Sequence, residues 1–261
     1  MCSMRSRKPA ILMPDCIIFD LDTTLAKSKQ PIDAAMAHTL AALLTKARVA
    51  VASGGKCDQL QTQVADRLPP HAPLERLYLL PTSGAALYVY ENGVWKQVYE
   101  EALSQDEANT IERAMHQANE QVHVIDFSEP AYGERIEFRG AEVSLSVLGQ
   151  KAPIEAKQKW DPGRTKREAL RAALAPLLPN YEVRIGGTTT IDVTKKGIDK
   201  AYGVHRLAEY LSIPIAHMLY VGDELRPGGN DEVVIATGIP THAVTDPDDT
   251  KQFIESLLKH A

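Results

Sequence analysis

Two short apolar runs, Cys16–Asp20 and Arg48–Ala52, flank a helical pattern, and each ends in residues that do not belong to a core. The first runs from Ile17-Ile18-Phe19 into Asp20-Leu21-Asp22-Thr23-Thr24; the second ends in Ser53-Gly54-Gly55. Between them Met36, Leu40, Leu43 and Leu44 recur on one helical face, with Asp33 placed as N-cap. Strand, polar turn, helix, strand, polar turn is the pattern of a parallel sheet wound on both faces, which predicts a doubly wound α/β core. In such sheets ligands bind beyond the carboxyl ends of the strands, so the two turns are where chemistry is expected.

The rest of the chain is read against that core. A helix is predicted from about Cys57 to Leu68 and a third strand over Leu77–Leu80, then a hairpin around Glu91-Asn92-Gly93, whose Asn-Gly pair suits a tight turn. From about Trp95 to Arg184 the strict alternation lapses. Ser104 followed by Glu107 opens a helix with a capping box, two strands flank Gly140, and a second helix covers Thr165–Leu178. This segment reads as an inserted α+β cap, residues 95–186, dividing the core into residues 1–94 and 187–261. Gly186-Gly187 is expected to be the flexible return from cap to core. The core style then resumes with a strand at Thr190–Val193, a helix at Asp199–Leu211, a strand at Met218–Val221 and a helix whose N-terminus carries Asp246–Asp249.

The chain has 261 residues, 44% hydrophobic and 24% charged, and a net charge of −5, which suit a soluble globular protein and argue against a nucleic-acid partner. Met1–Pro9 reads as a short tail rather than a signal peptide. Cys2, Cys16 and Cys57 form no C-x-x-C pair, so a reducing, cytoplasmic location is expected. No apolar run reaches the roughly 18 residues of a membrane span. The histidines form no zinc-ligand cluster.

Asp20 and Asp22 point to the same side of a strand end and repel unless a hard cation such as Mg2+ stands between them. One can attack phosphorus while the other moves a proton. Ser53 offers a hydroxyl, and Gly54 an unshielded main chain, to a phosphate oxygen. Lys200 opens a helix where an ammonium would balance charge on a transferring phosphoryl group. Tyr220-Val221-Gly222-Asp223 repeats the strand-to-carboxylate ending, and a Gly-rich loop returns Asn230 and Asp231 as further oxygen ligands.

Taken in this order, Asp20-x-Asp22-x-Thr24, Ser53, Lys200 and Gly222-Asp223 with Gly229-Asn230-Asp231 resemble the haloacid dehalogenase (HAD) superfamily with a type IIB cap. The resemblance implies Asp20 as nucleophile, Asp22 as general acid/base, Ser53 and Lys200 as phosphate holders, and Mg2+ held by Asp20, Asp22, Asp223 and Asn230 or Asp231. Glu137-Phe138-Arg139-Gly140, Val147-Leu148-Gly149-Gln150 and Ile185-Gly186-Gly187-Thr188-Thr189-Thr190-Ile191-Asp192 further resemble the eukaryotic-type phosphomannomutases. That likeness implies Arg139, Thr190 and Asp192 around a sugar. Where the family has Gly after the second Asp, this chain has Thr23. Positions where the family carries arginine fall on Gln150, Lys157 and Lys29, and its Met and Asn positions become Glu142 and Ser144. Lysine cannot clamp phosphate bidentately, so a weakened distal clamp favours a sugar-phosphate phosphatase over a phosphohexomutase. A binding protein without turnover is a third reading, opposed by the presence of Asp20, Asp22, Lys200 and Asp223 together. The expected partner is a small phosphorylated sugar, with the cap a candidate homodimer surface.

Overall fold

A computed structural model describes residues 13–259; Cys2 and the Met1–Pro9 tail lie outside the described residues. Two sheets organise the chain. The larger is built from β1 (Cys16–Asp20), β2 (Arg48–Ala52), β3 (Leu77–Leu80), β4 (Ala86–Glu91), β5 (Val94–Glu100), β10 (Met218–Gly222) and β11 (Thr241–Ala243), in the order β11-β10-β1-β2-β3-β4-β5. Strands β11 to β3 are parallel and β4 and β5 continue antiparallel. Alternate residues of β1 face opposite layers. Ile17 and Phe19 pack with Met36, Leu40 and Leu43 of α1 (Ala34–Leu44) and Ile254 and Leu257 of α7 (Pro247–Leu258). Cys16 and Ile18 pack with Val204 and Leu207 of α6 (Lys200–Leu211). Helices on both faces make this a doubly wound α/β core.

The second sheet has the order β6-β7-β9-β8, all antiparallel, from β6 (Ile136–Phe138), β7 (Glu142–Ser146), β8 (Tyr181–Ile185) and β9 (Thr190–Lys195). One face, with Val143, Leu145, Val183, Ile191 and Val193, packs against Ile111 and Met115 of α3 (Gln105–Val122) and Leu170 and Leu174 of α5 (Thr165–Leu174). Its other face is polar and belongs to the cavity described below.

Sheet membership moves the expected seam at both ends. Residues 94–100 stay with the core because Asn92 (φ 53°) and Gly93 (φ 83°) close a tight hairpin that lays β5 on β4. The strand at Thr190 belongs to the cap, between β7 and β8, because the core order leaves it no place: β1 is already flanked by β2 and β10. Gly186-Gly187 is therefore the bend of a cap hairpin, not the return to the core. It is also tightly packed, since a Cβ on Gly186 would lie 2.0 Å from Asp192 Oδ2.

Several helix ends form as the sequence dictates. Asp33 caps α1 through Met36 N, Ser104 and Glu107 form the full capping box of α3, and Asp199 and Asp246 cap α6 and α7. The helix after Ser53 is shorter than expected, α2 (Cys57–Gln63), followed by a 3-10 turn at Ala65–Arg67. One helix, α4 (Ile154–Trp160), was not anticipated; it has no side-chain cap and buries only Lys157, so it carries little periodic signal.

Candidate active site

The carboxyl ends of β10, β1 and β2 lie side by side, and they bring Asp223, Asp20 and Ser53 to one rim. These residues open onto a cavity of about 630 Å³ between the core rim and the polar face of the cap sheet. Every residue proposed from sequence except Asp231 lines it: Asp20, Asp22, Ser53, Gly54 and Lys200 from the core, Arg139, Gln150, Lys157, Thr190 and Asp192 from the cap, with Asp223 and Asn230.

Lys200 is the hub. Its Nζ lies 2.6 Å from Asp20 Oδ1 and 2.6 Å from Asp231 Oδ1, and all three side chains are buried. Asp199 sets this geometry by capping α6, so that Lys200 begins the helix and points along it towards the rim. Asp231 is wholly buried behind the cavity wall, where Tyr220 donates its hydroxyl at 2.6 Å. Burial would pull the Lys200 ammonium down, but Asp20 and Asp231 outweigh it and hold its pKa well above the ordinary lysine value. Asp20 moves the opposite way to most paired carboxylates: burial, only partly offset by Lys200, raises it well above its ordinary range. Asp223 is pushed up to about 6 by burial and then by Asp231.

Oxygen atoms of Asp20, Asp223 and Asp231 lie within 4.8 Å of one another. This hard, anionic donor set fits a divalent cation, with Asp231 also committed to Lys200 and Tyr220. Asp22 stands apart from that cluster: its Oδ1 accepts the main-chain N–H of Lys29. Asn230 is exposed at the mouth. Ser53 Oγ accepts from Gly55 N at 3.2 Å, which fixes the turn, and Gly54 meets the cap directly because its carbonyl accepts from Arg139 Nη1 at 2.8 Å.

On the cap wall four of the five N–H groups of Arg139 are engaged. Nε donates to Glu137, Nη1 to Glu142 Oε1 as well as Gly54, and Nη2 to Gln150 Oε1. Lys29 and Lys157 converge on Gln150: Lys29 Nζ lies 3.2 Å from Oε1, and both ammonium groups reach its main-chain oxygen. Burial, with Lys157 and Arg139 close by, pulls Lys29 down to about 8. Asp192 accepts from Ser144 Oγ at 2.5 Å.

Sequence reading missed several contributors. Thr24 donates to Asp223 Oδ1 at 3.2 Å and ties the acidic loop to β10; the Thr-Thr pair was its only trace. Ser83 lines the cavity from a turn in which Thr82, Ser83 and Gly84 all have positive φ, a conformation that no residue in Pro81–Gly84 except the glycine announces. Arg167 is buried, pairs with Asp161 at 3.0 Å and donates to Gly187 O at 2.6 Å, so it holds the β8–β9 bend over the cavity. Arg164 donates to Gly228 O at 2.6 Å and ties the cap to the Gly-rich core loop.

A doubly wound core with an acidic strand end, a buried lysine and a cap over the cavity defines an enzyme of the HAD phosphotransferase class. A model of the eukaryotic phosphomannomutase family matches residues 36–260, and the chain belongs to that family. Relatives include a phosphomannomutase of Encephalitozoon cuniculi, 26% identical over 256 residues with 93% of each chain covered. A phosphomannomutase of Oryza sativa is 27% identical, covering 98% of this chain and 99% of its own. Among solved structures, the IMP-nucleotidase of Plasmodium falciparum superposes with a TM-score of 0.69 at 18% identity, covering 95% of this chain and 72% of that one, which speaks to the fold alone.

Proposed function

We propose that the protein is a cytoplasmic Mg2+-dependent phosphohydrolase that releases phosphate from a small phosphorylated sugar through an aspartyl-phosphate. The observation that carries this is the placement of Asp20 and Asp22 at one strand end in the cavity, with Lys200 2.6 Å from Asp20. An Asp20 oxygen attacks phosphorus and the ester P–O bond breaks. The leaving sugar oxygen takes a proton from Asp22, whose Oδ1 is anchored by Lys29 N–H, leaving Oδ2 for the proton. Water then attacks the same phosphorus and returns a proton to Asp22, and the Asp20–phosphorus bond breaks to free inorganic phosphate. Lys200 and the Ser53-Gly54 turn balance charge on the phosphoryl oxygens. Asp20 and Asp223, with Asp231 or Asn230, would hold Mg2+, which when bound offsets negative charge on the transferring group.

A second reading, a phosphohexomutase moving phosphate between the 1- and 6-oxygens of a hexose, is supported by family membership and by Lys29, Lys157 and Arg139 facing one wall of the cavity. Phosphorus NMR of the protein with Mg2+ and mannose 1-phosphate, with and without trace glucose 1,6-bisphosphate, separates the two. Growth of inorganic phosphate alone supports the phosphohydrolase; a 6-phosphate signal that depends on the bisphosphate overturns it in favour of the mutase.

A further inference from the structure

On the phosphotransfer reading above, we infer that Ser83 is a further residue in contact with the transferring phosphoryl group, its hydroxyl donating to an oxygen that lies against the Ser53-Gly54 turn. Gly54 follows the end of β2, two positions beyond Ala52, the partner of Asp20 across the sheet. Its φ is not positive, and a Cβ built on it would meet, apart from its chain neighbours and among the described residues, only Ser83 Oγ, at 3.8 Å. Neither backbone nor packing therefore calls for glycine at this position. The missing side chain keeps open a space between the Gly54 main chain and the Ser83 hydroxyl, and both residues line the cavity.

Ser83 is held there against its own backbone preference. Thr82 and Ser83 have φ of 48° and 57°, left-handed conformations that residues with a Cβ disfavour. Thr82 N–H donates to Gly55 O and Ser83 N–H to Ser53 O, each at 2.9 Å, and the Tyr99 hydroxyl donates to Gly84 O at 2.8 Å. The first two bonds join the turns after β2 and β3 into one unit, so the Ser83 side chain is fixed relative to Ser53 and Gly54. Among the described residues no group takes up the Ser83 hydroxyl. A phosphoryl oxygen lying about 1 Å from the place of a Gly54 Cβ, on the side of Ser83, is within hydrogen-bond distance of Oγ. Ionised phosphoryl oxygens only accept, and a hydroxyl can donate. A donor fixed in advance at that point needs no reorganisation as charge shifts during transfer.

The test uses the full chain with Mg2+, orthovanadate as an inorganic phosphoryl mimic in titration calorimetry, and mannose 1-phosphate as substrate. Ser83→Ala should weaken vanadate binding by about tenfold and lower kcat/KM by a similar factor. Two further variants separate contact from folding. Ser83→Gly removes the hydroxyl but suits the left-handed backbone, so it should melt no lower than wild type and still show both losses. Ser83→Thr keeps the hydroxyl on a β-branched side chain that resists this backbone, so it should melt lower and yet retain most of the vanadate affinity. Vanadate affinity unchanged in both Ser83→Ala and Ser83→Gly overturns the inference, and a raised KM for mannose 1-phosphate alongside it would put the hydroxyl against the sugar instead. A wild type that binds no vanadate overturns it too, as do losses that follow melting temperature across the three variants. Should the wild type bind vanadate yet hydrolyse no mannose 1-phosphate, the phosphohydrolase reading falls, and the vanadate series alone still decides the role of Ser83.

Discussion

Thr23 sits immediately after the second aspartate with φ 68°, a left-handed conformation that a β-branched side chain resists. Its main-chain N–H bonds Ala26 O at 2.7 Å, so the tight turn that aims Asp22 fixes the backbone there. Relief of this strain by Thr23→Gly, less the extra chain entropy of glycine, should stabilise the fold by about 0.5–1 kcal/mol. A urea titration should show a higher midpoint at an unchanged slope. At Glu142 the issue is a proton. Burial, then Asp192, raise its pKa to about 8, with Arg139 opposing and Glu137 reinforcing, so the folded chain keeps a proton that an unfolded glutamic acid gives up near 4.5. The folded state then binds more protons than the unfolded state across that window, and this group makes stability fall as pH rises from about 4.5 to about 8. Glu142→Gln cannot titrate. Its melting temperature relative to wild type should therefore rise between pH 5 and pH 8, and a gap constant with pH would contradict the burial argument.

At the scale of elements, α6 carries Lys200 to the rim only because Gly203 and Gly84 let the helix approach the turn after β3. A Cβ on Gly203 would lie 2.9 Å from Gly84 Cα. Gly203→Ala should push the helix outward, cost about 1–3 kcal/mol by overpacking, and lower kcat more than it raises KM, because Lys200 is displaced from Asp20. Steady-state kinetics beside thermal melting would read both. This contact also shows what the sequence could express. The acidic loop, the Ser-Gly turn, Lys200 and the Gly-Asp ending were legible because each is a local break in an apolar pattern. The Gly84–Gly203 approach, the Thr24–Asp223 bond and the Arg167 clasp join residues that only the tertiary fold brings together, and nothing near them in sequence marks them. The same reason explains the misplaced seam. The strand Thr190–Lys195 alternates buried and cavity-facing residues as any strand of either sheet would, and pairing alone assigns it to the cap.

Across the whole molecule, the cavity lies between two sheets with separate apolar layers, and described ties across it include Arg139 to Gly54 O, Arg164 to Gly228 O and Lys29 to Gln150. Cap and core can then change their spacing at the expense of polar contacts that water replaces. Such contacts weaken little with added salt when one partner is a neutral carbonyl, as it is for both arginines. Substituting Arg164→Met should therefore raise KM for sugar phosphates by a few-fold, with kcat nearly kept, and the effect should persist at high ionic strength. A loss that disappears in salt would assign Arg164 to charge steering instead.

Strand β1 pairs with β10 in the register Cys16–Met218, so the whole cap lies within a loop that this one pairing must close. The cap sheet, by contrast, is joined through short antiparallel connections such as the bend between β8 and β9. Closing a long loop costs entropy before any contact repays it, and this slows pairings between distant segments. Pulse-labelled hydrogen exchange during refolding should show cap amides of β7 and β9 protected before those of β1 and β10. Asp20 and Lys200 would then meet only in the last stage of folding, so a chain stalled short of that stage would carry a finished cap and no reactive centre.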